Sequence, residues 1–336
     1  MLQFSIRIFA EGESEKYEVF MVLLDFFSSC FVDQCEQWTA SDFLPYGRDF
    51  ENHYPTGRFC NGKLAIDFTA EVLGFTSHPP AYLNLNTKGN NLLNGSNFAS
   101  AASGYYEPTA KLYNAISLSQ QLEYYKECQK ILVEAAGKSN ASSIISDAIY
   151  LVSAGTSDFI QNYYINPLLN KFHTSLHALG ARRIGVTSLP PIGCLPGAIT
   201  LFGTNSNECV ARLNNDAITF NEKLNTTSRN LKNKLPGLNL VIFDIYQLLY
   251  DLVTKPSQHG FLEARKGCCG TGLIETSILC NRYSTGTCAN ASEYVFWDSF
   301  HPSEAANKVL ADSLVAAGIS LISNQTHHNI VYTGVV

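Results

Sequence analysis

Residues 148–159 read AIYLVSAGTSDF. Five apolar residues without alternation, 148–152, give way at once to small and polar ones. A strand covered by helices on both faces reads this way, because neither face meets water. Two more runs share the pattern, IGVTSL at 184–189 and LVIFDI at 240–245. Helical periods lie between them. Leu118, Leu122, Tyr125, Leu132 and Ala135 fall on one helical face. Leu213, Ala217, Phe220, Leu224, Leu231 and Leu235 form a longer stripe, which Pro236-Gly237 stops. Ser303 is placed to cap a last helix with Val309, Leu310 and Leu314 on its core face, ending near Gly318. Alternating strands and helices predict an α/β fold whose sheet is mainly parallel and covered on both sides. Sites in such sheets lie beyond the carboxyl ends of the strands, so SAGTSDF (153–159) sits where chemistry is expected.

Composition narrows the function classes. Of 336 residues, 46% are hydrophobic and 15% charged, which builds a sizeable core and excludes a disordered chain. The net charge is −6 and no block of Lys or Arg stands out, which argues against nucleic acid as a partner. Ten cysteines are many for a reduced compartment and point to disulfides in an exported protein. Asn-x-Ser/Thr sequons at Asn94, Asn140, Asn225, Asn290 and Asn324 point the same way. The start of the chain does not follow the secretory pattern, since Glu11, Glu13, Glu15 and Glu18 precede the apolar run 19–32. Asp25 interrupts that run, which is too short to span a bilayer, so neither a transmembrane segment nor a signal peptide is read here.

Candidate chemistry starts with VFWDSFHPS at 295–303. Asp298 and His301 stand three apart in a loop that Phe296 and Trp297 make partly apolar and Pro302 stiffens. An aspartate that accepts from one imidazole nitrogen fixes the tautomer and leaves the other as a base. The bland alternative is a pair of surface loop groups. In GSNFASAASG, 95–104, small residues allow close backbone approach, and their N–H groups suit an oxyanion, although a tight packing turn reads the same. Ser157 and Asp158 fit a site lip equally well as a turn with a capping acid. His173 and His177 have the spacing of two metal ligands on a helix, but no third ligand is evident, and a solvated or capping pair is the simpler reading.

These pieces, in this order, resemble the plant GDSL esterase/lipase family, a branch of the SGNH hydrolases. The motifs are PYGRDF (45–50), TGRFCNGKLAIDF (56–68), NFASAASGY (97–105), SAGTSDF (153–159), GARRIGVTSLPPIGCLP (180–196), FDIY (243–246), KGCCGTG (266–272) and VFWDSFHPSEAAN (295–307). The resemblance implies a three-layer α/β/α sandwich that hydrolyses carboxylic esters, lipid acyl esters included, without metal or organic cofactor, in an exported protein. It implies His301 as general base and Asp298 as its orienting partner, with the backbone near Ala102 to Gly104 and Ser157 at the oxyanion. The domain then spans 39–322, after a divergent segment 1–38 and before a polar tail 323–336. Cys194 with Cys209, and pairings within Cys268, Cys269, Cys280 and Cys288, are candidate disulfides.

The chain departs from the family pattern in four places. Ala102 stands where the family has Gly, and Ser157 where it has Asn. The stretch between Asn166-Pro167 and Gly180 is short, which leaves a truncated crossover. No Gly-Asp-Ser nucleophile block exists; Gly12-Glu13-Ser14 imitates it after IRIF (6–9), and Tyr17 occupies the place of the second Asp. Either IRIF or VFMVLL (19–24) must supply the central first strand, and the latter carries no serine at its end. Three readings stay open: an active hydrolase, a relative that binds acyl esters without turnover, and a product of a misassembled first coding segment.

Overall fold

A computed structural model of the chain describes residues 20–24, 41–75, 77–83, 92, 95–161, 175–204 and 207–322. Among the described residues five strands form the main sheet: β1 (Phe20–Leu24), β2 (Ser96–Asn97), β3 (Ile149–Ser153), β4 (Arg183–Thr187) and β5 (Asn239–Phe243). Their order is β2-β1-β3-β4-β5, and every pairing is parallel. Helices fully within the described residues include α1 (Ala65–Val72), α2 (Glu107–Leu112), α3 (Leu118–Ala136), α4 (Lys138–Asp147), α5 (Thr156–Gln161), α6 (Pro196–Phe202), α7 (Ala211–Lys234), α8 (Ile245–Thr254) and α9 (Glu304–Ile322).

Successive strand residues point to opposite faces, and the core divides accordingly. Tyr150, Val152, Ile184, Val186 and Leu240 join one cluster with the apolar stripes of α3, α4 and α7. Leu151 and Phe243 join a second cluster with Leu64 and Ile66 near α1 and Leu321 of α9. The two clusters on two faces make the chain a three-layer α/β/α sandwich. Gly185 in β4 is required for close packing, since a Cβ there would collide with the Phe243 ring.

Several expectations shift in detail. The run 240–245 is strand only to Phe243, because the Asp244 carboxylate accepts from the backbone N–H groups of Tyr246 and Gln247 and caps α8. The face of α3 is buried at Leu118, Gln121, Tyr125, Cys128 and Leu132, whereas Ala135 is exposed. The last helix does not stop near Gly318 but runs to Ile322, since Gly318 lies against the Phe243 ring and lets α9 pass close over the sheet. The strand seated between β2 and β3 is Phe20–Leu24, from VFMVLL. IRIF, Ser14, and the short stretch between Pro167 and Gly180 as far as residue 174, lie outside the described residues.

A second, two-stranded parallel sheet, β6 (Glu263–Gly267) with β7 (Tyr294–Phe296), carries the Asp298–His301 loop. Disulfides join Cys194 to Cys209, Cys268 to Cys288 and Cys269 to Cys280. The first is the pair expected, and the other two give the pairing within Cys268, Cys269, Cys280 and Cys288. Loops of this length each remove about 3 kcal/mol of chain entropy from the unfolded state. Cys60 and Cys128 are buried free thiols, and burial raises the pKa of both. Among the described residues no helix is long and apolar enough to cross a membrane.

Candidate active site

The loop after β7 is closed on itself. Trp297 N–H donates to His301 O (2.8 Å), and Ser303 N–H donates to Val295 O (2.9 Å). Ser303 then caps α9 through Ala306 N–H, as its position predicts. The helix start is tied to the NGK motif, where Asn61 Oδ1 accepts from Glu304 N–H and Glu304 Oε1 accepts from Lys63 N–H. Asp298 and His301 are thereby held between two fixed elements, and both are buried.

His301 Nδ1 lies 2.8 Å from both oxygens of Asp298. Asp298 Oδ1 also accepts from the N–H groups of Phe300 (2.9 Å) and His301 (2.8 Å). Its Oδ2 accepts from the Tyr46 hydroxyl (2.8 Å) and the Thr276 hydroxyl (3.1 Å). Five donors around one buried carboxylate offset its desolvation. The imidazole stacks on Phe59, with centroids 4.7 Å apart. With Nδ1 engaged by the carboxylate, the nitrogen suited to take a proton is Nε2. The surface-loop reading of this pair therefore does not hold.

The other candidates lie at the carboxyl edge of the main sheet. The loop after β2 holds Ala102 at φ +64, a region that suits the glycine of the family pattern and costs alanine about 1–2 kcal/mol. Gly104 has no room for a side chain, because a Cβ would run into the Asp158 carboxylate. Asp158 accepts from Tyr105 N–H (2.8 Å), Tyr106 N–H (3.3 Å) and the Thr109 hydroxyl (2.6 Å). It thus pins the small-residue loop to the segment after β3. From the other side Gln121 Nε2 donates to Ser103 Oγ (3.2 Å). Ser157, next to Asp158, is fully buried, and its hydroxyl has no hydrogen-bond partner among the described residues. Ala101 shares a cluster with Tyr46, Phe59 and Trp297, which connects this loop to the surroundings of His301.

The metal reading of His173 and His177 gains nothing: His173 is outside the described residues, and His177 Nε2 lies 3.0 Å from Pro236 O. The sequence gives no role to Tyr46, Thr276 or Phe59. Tyr46 and Phe59 belong to motifs already singled out, PYGRDF and TGRFC, but an ordinary tyrosine is neutral near pH 7 and phenylalanine does not titrate, so nothing in the string marks them.

The GDSL-like Lipase/Acylhydrolase family profile matches residues 33–314. GDSL esterase/lipase At5g22810 of Arabidopsis thaliana is 65% identical over 303 residues, covering 84% of each chain. GDSL esterase/lipase APG of the same plant is 57% identical over 300 residues (84% of this chain, 85% of the relative). A more distant relative, GDSL esterase/lipase EXL3, is 39% identical over 290 residues, 82% of this chain and 80% of its own. A profile match over most of the chain, joined to these identities, places the protein in the GDSL-like lipase/acylhydrolase family.

Proposed function

We propose that the protein hydrolyses carboxylic esters, lipid acyl esters among them, by serine nucleophilic chemistry with His301 as general base. The observation that carries this is the buried Asp298–His301 pair, held at 2.8 Å inside a loop closed at both ends. A serine hydroxyl attacks the ester carbonyl while His301 Nε2 takes its proton. The carbon–oxygen bond to the leaving alcohol breaks, and that alcohol leaves with the proton from His301. Water then repeats the sequence on the acyl-enzyme and releases the acid. The Ala102 and Gly104 N–H groups and the Ser157 hydroxyl are the oxyanion donors in this reading. The buried, unpartnered Ser157 hydroxyl supports that role.

Ser14 is the candidate nucleophile from the sequence. The first strand of the sheet is Phe20–Leu24, however, so Ser14 precedes it by six positions, while the sites of parallel sheets collect after the carboxyl ends. Labelling the folded protein with a fluorophosphonate, followed by peptide mapping, tests the mechanism and identifies the serine. A label within residues 1–40 that disappears in His301→Ala is expected. Folded protein that takes no label, but melts higher with an acyl ester present, supports the second reading, a binding relative without turnover. The place of Ser14 in the sequence, ahead of the strand rather than after it, favours that alternative, since turnover needs a serine hydroxyl within reach of His301 Nε2.

Export is part of the same proposal, supported by the three disulfides among the described residues. Among the described sequons, Asn140 and Asn225 lie inside α4 and α7, where residues two apart face different sides. Asn290 is exposed, and its Oδ1 accepts from the Ser292 hydroxyl (2.7 Å) and N–H (3.1 Å), which brings the sequon hydroxyl onto the acceptor amide. Mass spectrometry of secreted protein after enzymatic deglycosylation in heavy-oxygen water is expected to find a glycan at Asn290. Glycans at Asn140 or Asn225 with none at Asn290 would reverse the assignment.

A further inference from the structure

We propose that Tyr46 is a positioning residue that sets the orientation of the Asp298 carboxylate and, through it, the ring of His301. The inference rests on His301 being the base, as proposed above. Three segments far apart in sequence meet at the Tyr46 hydroxyl. It donates to Asp298 Oδ2 (2.8 Å) and accepts from Ser277 N–H (2.8 Å). The neighbouring Thr276 hydroxyl donates to the same Oδ2 (3.1 Å). Asp298 Oδ1 is held by rigid backbone N–H groups of its own loop, so rotation of the carboxylate is decided at Oδ2.

Tyr46 is fixed for this task. It is fully buried, and Phe43, Phe59 and Trp297 meet its ring edge-on at 5.4–6.2 Å. Burial first, and then the Asp298 charge, push its phenol well above the ordinary tyrosine range, so it is a neutral donor near neutral pH. The loop supplying Thr276 and Ser277 is stapled by the Cys268–Cys288 and Cys269–Cys280 disulfides. A braced loop therefore aims the phenol, the phenol aims the acid, and the acid aims the base.

The test compares Tyr46→Phe with Tyr125→Phe. Tyr125 is also buried and also hydrogen-bonded through its hydroxyl, to Tyr150 at 2.7 Å, but has no contact with the dyad. The readout is NMR of the His301 ring, its Nδ1 proton and both nitrogen shifts, assigned by their loss in His301→Ala. Tyr46→Phe is expected to move these signals, and Tyr125→Phe to leave them in place while lowering the melting temperature. Where turnover is measured, Tyr46→Phe is expected to lower kcat about tenfold with little change in KM, the scale of one charge-assisted hydrogen bond. Should Tyr46→Phe not fold, Thr276→Val removes the other donor to the same oxygen and is expected to shift the same signals. Unchanged His301 signals in a folded variant overturn the proposal. NMR needs no turnover, so a protein without esterase activity defeats the hydrolase reading and leaves this one decided on its own data.

Discussion

Exchanging Asp298 for Asn is expected to lower ester hydrolysis about 10⁴-fold, through the wrong imidazole tautomer rather than through loss of fold. The side-chain oxygen of an asparagine has to stay at the Oδ1 position, because Phe300 and His301 present backbone N–H groups there that cannot turn away. The amide nitrogen then takes the place of Oδ2 and donates toward His301 Nδ1. Nδ1 becomes an acceptor, the ring proton moves to Nε2, and the base can no longer take a proton from a serine. The Tyr46 and Thr276 hydroxyls lose their acceptor in the same step, and unsatisfied buried donors are expected to cost about 1–3 kcal/mol. Rates with a soluble short-chain ester, beside a chemical denaturation curve, separate the two effects. A folded Asp298→Asn protein hydrolysing within tenfold of the wild type would mean that His301 Nδ1 keeps its proton and donates to the remaining oxygen, also 2.8 Å away, and would overturn the tautomer argument.

The core of the proposed mechanism is legible in the string because its residue types are chemically marked and stand close together. Asp298 and His301 stand beside Trp297 and Pro302, and the structure finds them bonded. The parallel sheet is legible because buried strands leave unbroken apolar runs, and all three runs proposed appear as β3, β4 and β5. The first strand is harder to read. IRIF and VFMVLL are both short and apolar, and only pairing with Ser96–Asn97 and Ile149–Ser153 distinguishes the second. The support of the dyad is illegible for another reason. Tyr46 and Asp298 are 252 positions apart, and a tyrosine that donates one hydrogen bond has no pattern of its own. Gln121 illustrates the same limit. Polar residues are expected on the outer face of a helix, yet this one is buried because its amide reaches Ser103 Oγ and Ile116 O.

The stability of the protein is expected to fall as pH rises from about 4 to 7, and Asp158 is expected to be the main cause. The residue is 3% exposed, and burial outweighs the three donors around its carboxyl, raising its pKa from 3.8 to about 6. A raised carboxyl pKa means that the fold prefers the protonated form. The associated stability is fully present below pH 3.8 and is lost as pH rises through about 6. The interval between these values corresponds to at most about 3 kcal/mol. Glu304, raised by burial, has the same sign. Asp67, which Arg58 holds below the usual range, Glu71 and Glu275 act in the opposite sense, losing their contribution only as the solution becomes more acidic. Asp158→Asn cannot ionise, so the free-energy advantage of the wild type over this variant should shrink by up to about 3 kcal/mol between pH 4 and pH 7. Urea midpoints of both proteins across that range measure it directly. A difference that stays flat would mean that Tyr105, Tyr106 and Thr109 hold the charged carboxylate as well as water does. In that case the clamp on the loop carrying Ala102 and Gly104 would be no weaker at neutral pH than in acid.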